Sequence, residues 1–326
     1  MNDPLVSIII ATYNRASFIS KAIDSVINQT YRNWELIIWI DGSSDNTEEI
    51  IKSFADDRIT YYYEENHGKC FALNRAIEKS NGYWIAILDD DDVWHNSKLQ
   101  IQVALLQQFP EIDLLFTDFF NINLSTGERG EGFSQLKKAM NNLIVKEINE
   151  SAYKIMDLWP ESINISNFIL PSTVMIKKKV LIEVDGFNEN LRNAEDVHLW
   201  WKLFLKGSNF YYINKILVNR LKPEGSLSST NILTYENVLK SIDYCSEELL
   251  KNNREDLLYL LQNSYRRVWL SLTKLYLKSG EIKLAHYSYK NSRNYGITIY
   301  DHLKLLFFLI QTQLRVIKNR FTQSIN

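Results

Sequence analysis

The chain has only two cysteines in 326 residues, Cys70 and Cys245, far apart and without CxxC spacing. That excludes a disulfide framework and a cysteine-based zinc site, and it favours a reducing compartment. A basic surplus is also missing, since 37 Lys and Arg stand against 39 Asp and Glu. Proteins that hold nucleic acid by neutralising phosphates need such a surplus, so no nucleic-acid partner is expected. The longest unbroken apolar run near either end, Leu305–Ile310, falls far short of the roughly 20 residues of a spanning helix. Met1-Asn2-Asp3-Pro4 carries neither a basic segment nor a long apolar one. No signal peptide is therefore expected, and the reading is cytoplasmic. Neither GxGxxG nor GxxxxGK[ST] occurs, so a dinucleotide fingerprint and a phosphate-loop NTPase are unsupported. What is present is an ordinary globular balance, 45% hydrophobic and 23% charged, enough core for one large domain or two smaller ones. An aromatic share of 13% suits stacking on sugars or bases and equally suits an aromatic core.

The first third alternates between two periods. Val6–Ala11, Glu35–Ile40, Ile59–Tyr63 and Tyr83–Leu88 read as strands, the first two and the last as buried apolar runs. Between them, Ile19, Ala22, Ile23, Val26 and Ile27 recur at helical spacing. A second helix runs through Ile50, Ile51 and Phe54 with Asp45 placed to cap it, and a third covers Gly68–Lys79. Strands alternating with helices predict an α/β fold with a mostly parallel sheet, whose ligands sit beyond the carboxyl ends of the strands. The polar clusters Thr12–Arg15, Asp41–Asp45 and Asp89–Asp92 all fall at such ends. From about Ser125 to Ser166 the signal weakens to that of an insertion or loop. Ser172–Ile176 then reads as a strand, with helices over Lys178–Val184 and Ala194–Leu205. Beyond Asn231 the pattern is almost wholly helical with a pivot at Ser279-Gly280, which puts a domain boundary near residue 230 (1–230 and 231–326). Trp269, Leu272, Tyr276, Gly280, Ala285 and Tyr289 have the spacing of a single tetratricopeptide unit, which reads as a helical hairpin rather than an array. A final helix places Leu303, Phe307, Ile310, Leu314 and Ile317 on one face beside Lys304, Arg315, Lys318 and Arg320. Residues 301–320 then suit either an anionic membrane surface or packing on the domain.

Four adjacent carboxylates, Asp89–Asp92, repel one another, and a divalent cation, Mn2+ or Mg2+, removes that penalty. The bland account is a solvated acidic loop; the position directly after a buried strand favours the ion. Asp41 either shapes a turn with Gly42 and Ser43 or accepts an N–H from a ligand at the sheet crevice. Thr12, Tyr13, Asn14 and Arg15 bring hydroxyl, aromatic and cationic groups to the end of the first strand. Glu195-Asp196 at a helix start satisfies the helix dipole, and equally sets a carboxylate where a base could take a hydroxyl proton.

Five ordered blocks resemble family 2 glycosyltransferases of the GT-A, Rossmann-like fold over about residues 5 to 220: Val6–Arg15, Asp41–Asp45, Leu88–Trp94, Asp185–Glu189, and Glu195-Asp196 followed by Leu199-Trp200. The resemblance implies a metal-dependent, inverting hexosyl transfer from a nucleotide-sugar, usually UDP-linked. The acceptor it implies is a glycan or lipid-linked glycan in bacterial surface polysaccharide assembly. By position, Asp41 resembles the uracil-binding Asp, Asp90 a ribose contact, Asp91 the main metal ligand with Asp89 nearby, and Asp196 the general base. Gly68, Lys69 and Asn74 correspond to the diphosphate side, and Glu195, Trp94, Ser172 and Trp200 to the acceptor side, with Pro171-Ser172-Thr173 lining it. The chain departs from the family pattern at Ile40, where a second Asp is common, and at Leu73, where an Arg is common. After Arg220 it has Leu221-Lys222-Pro223 where many members carry a His and a third metal ligand. A non-catalytic nucleotide-sugar or carbohydrate binding module on the same fold is the alternative, and a scaffold acting through its helical C-terminus a third.

Overall fold

The structure, a computed structural model, describes residues 3–157, 168–222, 231–296, 298, 301–302 and 305. The chain forms two compact units, Met1–Ser226 and Leu227–Asn326.

The first unit opens with strands β1 (Val6–Thr12), β2 (Trp34–Asp41), β3 (Ile59–Glu64) and β4 (Trp84–Ile87). Between them run helices α1 (Ile19–Ile27), α2 (Thr47–Lys52) and α3 (Lys69–Lys79). The four strands pair in parallel in the order β3-β2-β1-β4. The β-branched runs of β1, β2 and β4 are buried almost throughout, as strands covered on both faces must be. Parallel pairing brings all four carboxyl ends to one edge, where the chain delivers Thr12–Arg15, Asp41–Asp45, Glu64–Lys69 and Asp89–Asp92.

The sheet continues through β5 (Val93–Trp94), α4 (Lys98–Gln108), β6 (Leu114–Asn123) and β7 (Arg129–Glu131). Short helices α5 (Gly132–Gln135) and α6 (Lys137–Met140) follow, then the hairpin β8 (Ile144–Asn149) and β9 (Ala152–Asp157). A 3-10 turn at Pro171–Thr173 leads into β10 (Met175–Lys177), α7 (Lys178–Glu183), α8 (Glu195–Leu205) and β11 (Phe210–Lys222). The full order is β3-β2-β1-β4-β10-β6-β11-β9-β8, with β5 pairing on β11 and β7 on β6. Strand β10 runs antiparallel to both β4 and β6, whereas β6 and β11 are parallel.

Two expectations change. Residues 172–176 do not form one strand: Pro171–Thr173 is a 3-10 turn, and the strand begins at Met175. The weak stretch after Ser125 is not a plain loop up to Asp157. It supplies β7 and the β8–β9 hairpin, which β9 attaches to β11 with Tyr153 stacked on Tyr212 at 4.9 Å. Its β8 is almost wholly exposed and its apolar residues Ile144, Val145 and Ile148 do not alternate strictly with polar ones, so apolar periodicity does not reveal it.

The second unit contains α9 (Ile232–Lys251), α10 (Leu258–Ser279) and α11 (Ile282–Arg293). Asn231 caps α9 by accepting from the Thr234 N–H at 2.8 Å, and Gly280, with φ 83°, ends α10 in the left-handed conformation that glycine adopts readily. Most of the basic apolar helix expected over 301–320 lies outside the described residues. Among the described residues no helix is long and apolar enough to cross a membrane.

Candidate active site

The loops after β1 and β2 are sewn together. Asn14, with φ 53°, donates its N–H to Ser43 Oγ at 3.0 Å, and its Oδ1 accepts from the Ser44 N–H at 2.8 Å. Arg15 N–H donates to Thr47 Oγ1 (2.9 Å) and Ala16 N–H to Asp45 Oδ2 (3.1 Å). Tyr13 remains half exposed at the rim.

Asp41 ends β2, buried, and reaches across to the next loop. Its Oδ1 accepts the His67 N–H at 2.8 Å and its Oδ2 the Gly68 N–H at 2.9 Å. The Asp41 carboxylate therefore shapes the 66–68 loop at the crevice rather than the expected turn with Gly42 and Ser43, and each oxygen keeps a further lone pair. Gly68 has φ 102°, and a Cβ there would lie 1.4 Å from the Arg192 Nη1 that donates to His67 O. Only glycine lets Arg192 lie across this turn.

The acidic turn after β4 is built from inside. Ser172 Oγ accepts the Asp89 N–H at 3.0 Å and donates to Asp92 Oδ2 at 2.6 Å, while Asp92 Oδ1 accepts the Leu221 N–H. Trp94 donates its indole N–H to Ser172 O at 2.7 Å. Arg15 pairs with Asp90 at 3.4 Å, and Lys69 Nζ lies 2.8 Å from Asp89 Oδ1 and 3.2 Å from Glu195 Oε1. Burial, then repulsion from Asp91, pushes the Asp90 carboxyl up to about 7, although Arg15 and the adjacent Thr12 hydroxyl oppose the shift. Burial and Asp89 likewise raise Asp91, and burial with Asp89 and Asp91 raises Asp92 well above the carboxylate range. For Lys69 burial opposes the charge, yet attraction to Asp89, Glu195 and Asp196 outweighs it and holds the ammonium well above its ordinary pKa.

These carboxylates fit a hard divalent cation. Asp91 has no cation within ion-pair distance among the described residues, and its repulsion with its neighbours is the kind an ion relieves. No group of three or more His, Cys, Asp or Glu gathers around one point among the described residues. The protein offers Asp89 and Asp91, which matches ions that take one or two carboxylates and fill their shell from a phosphorylated substrate.

Across the crevice, Glu195 and Asp196 open α8 behind Ala194, which has φ 55°. Glu195 is buried and turned to Lys69; Asp196 Oδ1 accepts the Val197 N–H at 2.8 Å and is less deeply buried. The edge thus unites Thr12, Arg15 and Asp90, and joins Asp89, Lys69 and Glu195 in a second cluster.

Four expected contacts are placed elsewhere. Asn74 spends its amide on a clamp: Nδ2 donates to Phe187 O and Glu189 Oε1, and Oδ1 accepts the Phe187 N–H, each at 2.9 Å. It therefore fastens the 185–189 turn instead of facing a diphosphate. Trp94, Ser172 and Trp200 do not line an acceptor surface, because all three are buried. Trp94 and Ser172 hold the acidic turn, and Trp200 donates its indole N–H to Ile169 O at 3.0 Å. Sequence reasoning also passed over Arg192, which braces the His67-Gly68 turn; it belongs to no recognisable spacing, so no signal pointed to it.

Residues 7–175 match the family described as Glycosyl transferase family 2. A putative teichuronic acid biosynthesis glycosyltransferase of Bacillus subtilis is 29% identical over 229 residues, 69% of this chain and 82% of that protein. Among solved structures, residues 1–349 of S. aureus TarS in complex with UDP align with TM-score 0.58 at 16% identity, over 89% of this chain and 91% of that one. A mannosyltransferase from Pyrobaculum calidifontis, in complex with GDP-Man and Mn2+, aligns with TM-score 0.59 at 17% identity, over 96% of this chain and 87% of the other. At such identities the likeness speaks for the fold, which is GT-A.

Proposed function

The chain belongs to glycosyl transferase family 2 and is a glycosyltransferase, and on that premise we propose that it moves a sugar from a UDP-linked donor to a glycan or lipid-linked glycan hydroxyl, with inversion. The observation that carries the reading is the acidic turn after β4 facing Glu195-Asp196 across the sheet edge, with one lysine spanning the two. The uridine form of the donor is supported by the UDP bound to a protein of like fold; the GDP-Man in another makes the guanosine donor the alternative to test. A role in surface polysaccharide assembly is supported by the B. subtilis relative, whose name places it in teichuronic acid biosynthesis.

In this mechanism the Asp41-organised turn receives the base, while Arg15 and Asp90 meet the ribose side. Asp89 and Asp91 would hold Mn2+ or Mg2+, whose charge offsets that developing on the departing diphosphate. Asp196 takes the proton of the acceptor hydroxyl as that oxygen attacks the anomeric carbon from the face opposite the diphosphate. Its neighbour Glu195 is buried and held by Lys69, whereas Asp196 is the less buried of the two carboxylates.

A screen of UDP- and GDP-sugars for turnover, with and without Mn2+, tests donor class and metal together. Asp196→Asn is expected to lower kcat by about 10²–10⁴-fold with UDP affinity retained. A product that keeps the donor's anomeric configuration would defeat single displacement and with it the assigned base.

A further inference from the structure

Lys69 opens α3, where a positive charge opposes the helix dipole. A lysine is tolerated there because two carboxylates from separate parts of the chain converge on it. Asp89 at the end of β4 lies 2.8 Å from its ammonium, and Glu195 at the start of α8 lies 3.2 Å away. Its backbone is fixed as well, since the Gly68 N–H just before it is held by Asp41 and the turn is overlaid by Arg192. A continuous set of contacts thus runs from β2 through Lys69 to both carboxylate groups. Both carboxylates lie within ion-pair distance of the one ammonium.

Resting on the donor-and-base reading above, we propose that Lys69 is a positioning residue, a cationic clamp that registers the Asp89–Asp92 turn against Glu195-Asp196. Without it the two carboxylates it joins repel, the turn and the helix start drift apart, and Asp196 loses its place relative to the donor. Displacements of about 1 Å at a reacting centre cost on the order of 10²-fold in rate. Because the Asp89–Asp92 turn also meets the donor, the clamp acts more strongly on kcat than on donor affinity.

The test compares Lys69→Met, Lys69→Gln and Lys69→Arg in the full chain. Hydrogen exchange read by mass spectrometry is the first measurement, because it needs no substrate. Met or Gln should speed exchange in residues 89–92 and 194–197 together, and Arg should restore both segments. With the donor found by the screen, Met or Gln should lower kcat by about 10–100-fold. UDP affinity in Mn2+ (or GDP affinity, if the donor is guanosine-linked) should change less than threefold. Glu195→Gln added to Lys69→Met should cost far less than the product of the single losses. A fall in UDP affinity with kcat unchanged would make Lys69 a diphosphate contact and overturn the clamp. So would faster exchange in one segment only, or additive losses in the double variant. A wild type that turns over no nucleotide-sugar defeats the transferase reading, while the exchange result still decides the clamp. If Met does not fold, Gln carries the same expectations.

Discussion

Lys98 is the residue whose charge the fold opposes most directly. It is wholly buried at the start of α4, its ammonium 4.0 Å from the Trp94 ring and donating to Gln102 Oε1 at 2.7 Å. Burial drives its pKa well below the ordinary 10.5. An amine depressed in this way carries fewer protons in the native than in the unfolded state. Stability then rises with pH up to the unfolded value and is lost as pH falls through the folded one. Chemical denaturation from neutral pH to pH 10 should show wild-type stability climbing by as much as about 1.4 kcal/mol per pH unit. Lys98→Met should flatten that climb, and equal slopes in the two proteins would show that Lys98 stays charged. Nothing in the run His95–Gln102 marks this lysine as buried, so sequence alone could not distinguish it from a solvated one. Asp41 and Asp89–Asp92 were legible for the opposite reason, since carboxylates directly after buried strands stand out against their surroundings.

At the scale of elements, what could be read depended on where each strand lies. β1, β2 and β4 are buried, so their sequences are nearly pure apolar runs and announced the parallel half of the sheet. β8 lies at the sheet's far end and the Pro171–Thr173 turn is held by buried hydrogen bonds, and neither leaves a period in the sequence. The same limit explains Asn74, Trp94, Ser172 and Trp200: family position brought them to the right neighbourhood, but their partners are tertiary and invisible in a single chain of letters. Asn74 gives the clearest test. Its three hydrogen bonds join α3 to the turn that precedes α8. Asn74→Ala strands the Phe187 N–H and C=O and should cost roughly 1–3 kcal/mol of stability in urea titration. UDP affinity at saturating Mn2+ should stay within twofold. A variant of normal stability that binds UDP poorly would return Asn74 to the donor.

At the scale of the whole molecule, every residue assigned to donor, metal or base falls within Met1–Ser226, and none within Leu227–Asn326. The expectation still to be tested in the second unit is a lipid contact through its last segment. Leu303, Phe307, Ile310, Leu314 and Ile317 recur at helical spacing beside Arg315, Lys318 and Arg320. The start of that segment belongs to the helical unit: Leu305 is buried, Arg266 lies 3.8 Å from Asp301, and the Tyr289 hydroxyl is 2.7 Å from His302 Nδ1. Deleting residues from 301 onward would therefore strip packing along with any lipid contact, and the result would be ambiguous. Charge reversal of Arg315, Lys318 and Arg320 to Glu leaves the docked residues intact and addresses the membrane alone. Each basic residue near an anionic surface contributes about 1 kcal/mol, so losing three should weaken partition onto phosphatidylserine vesicles by roughly two orders of magnitude. Raising salt should weaken wild-type binding in the same direction, because the attraction is screened within a Debye length. Nucleotide-sugar turnover with a soluble acceptor should be unchanged in the triple variant. Equal vesicle binding by the two proteins in a sedimentation assay, or none by the wild type, would assign the apolar face to packing on the protein rather than to lipid.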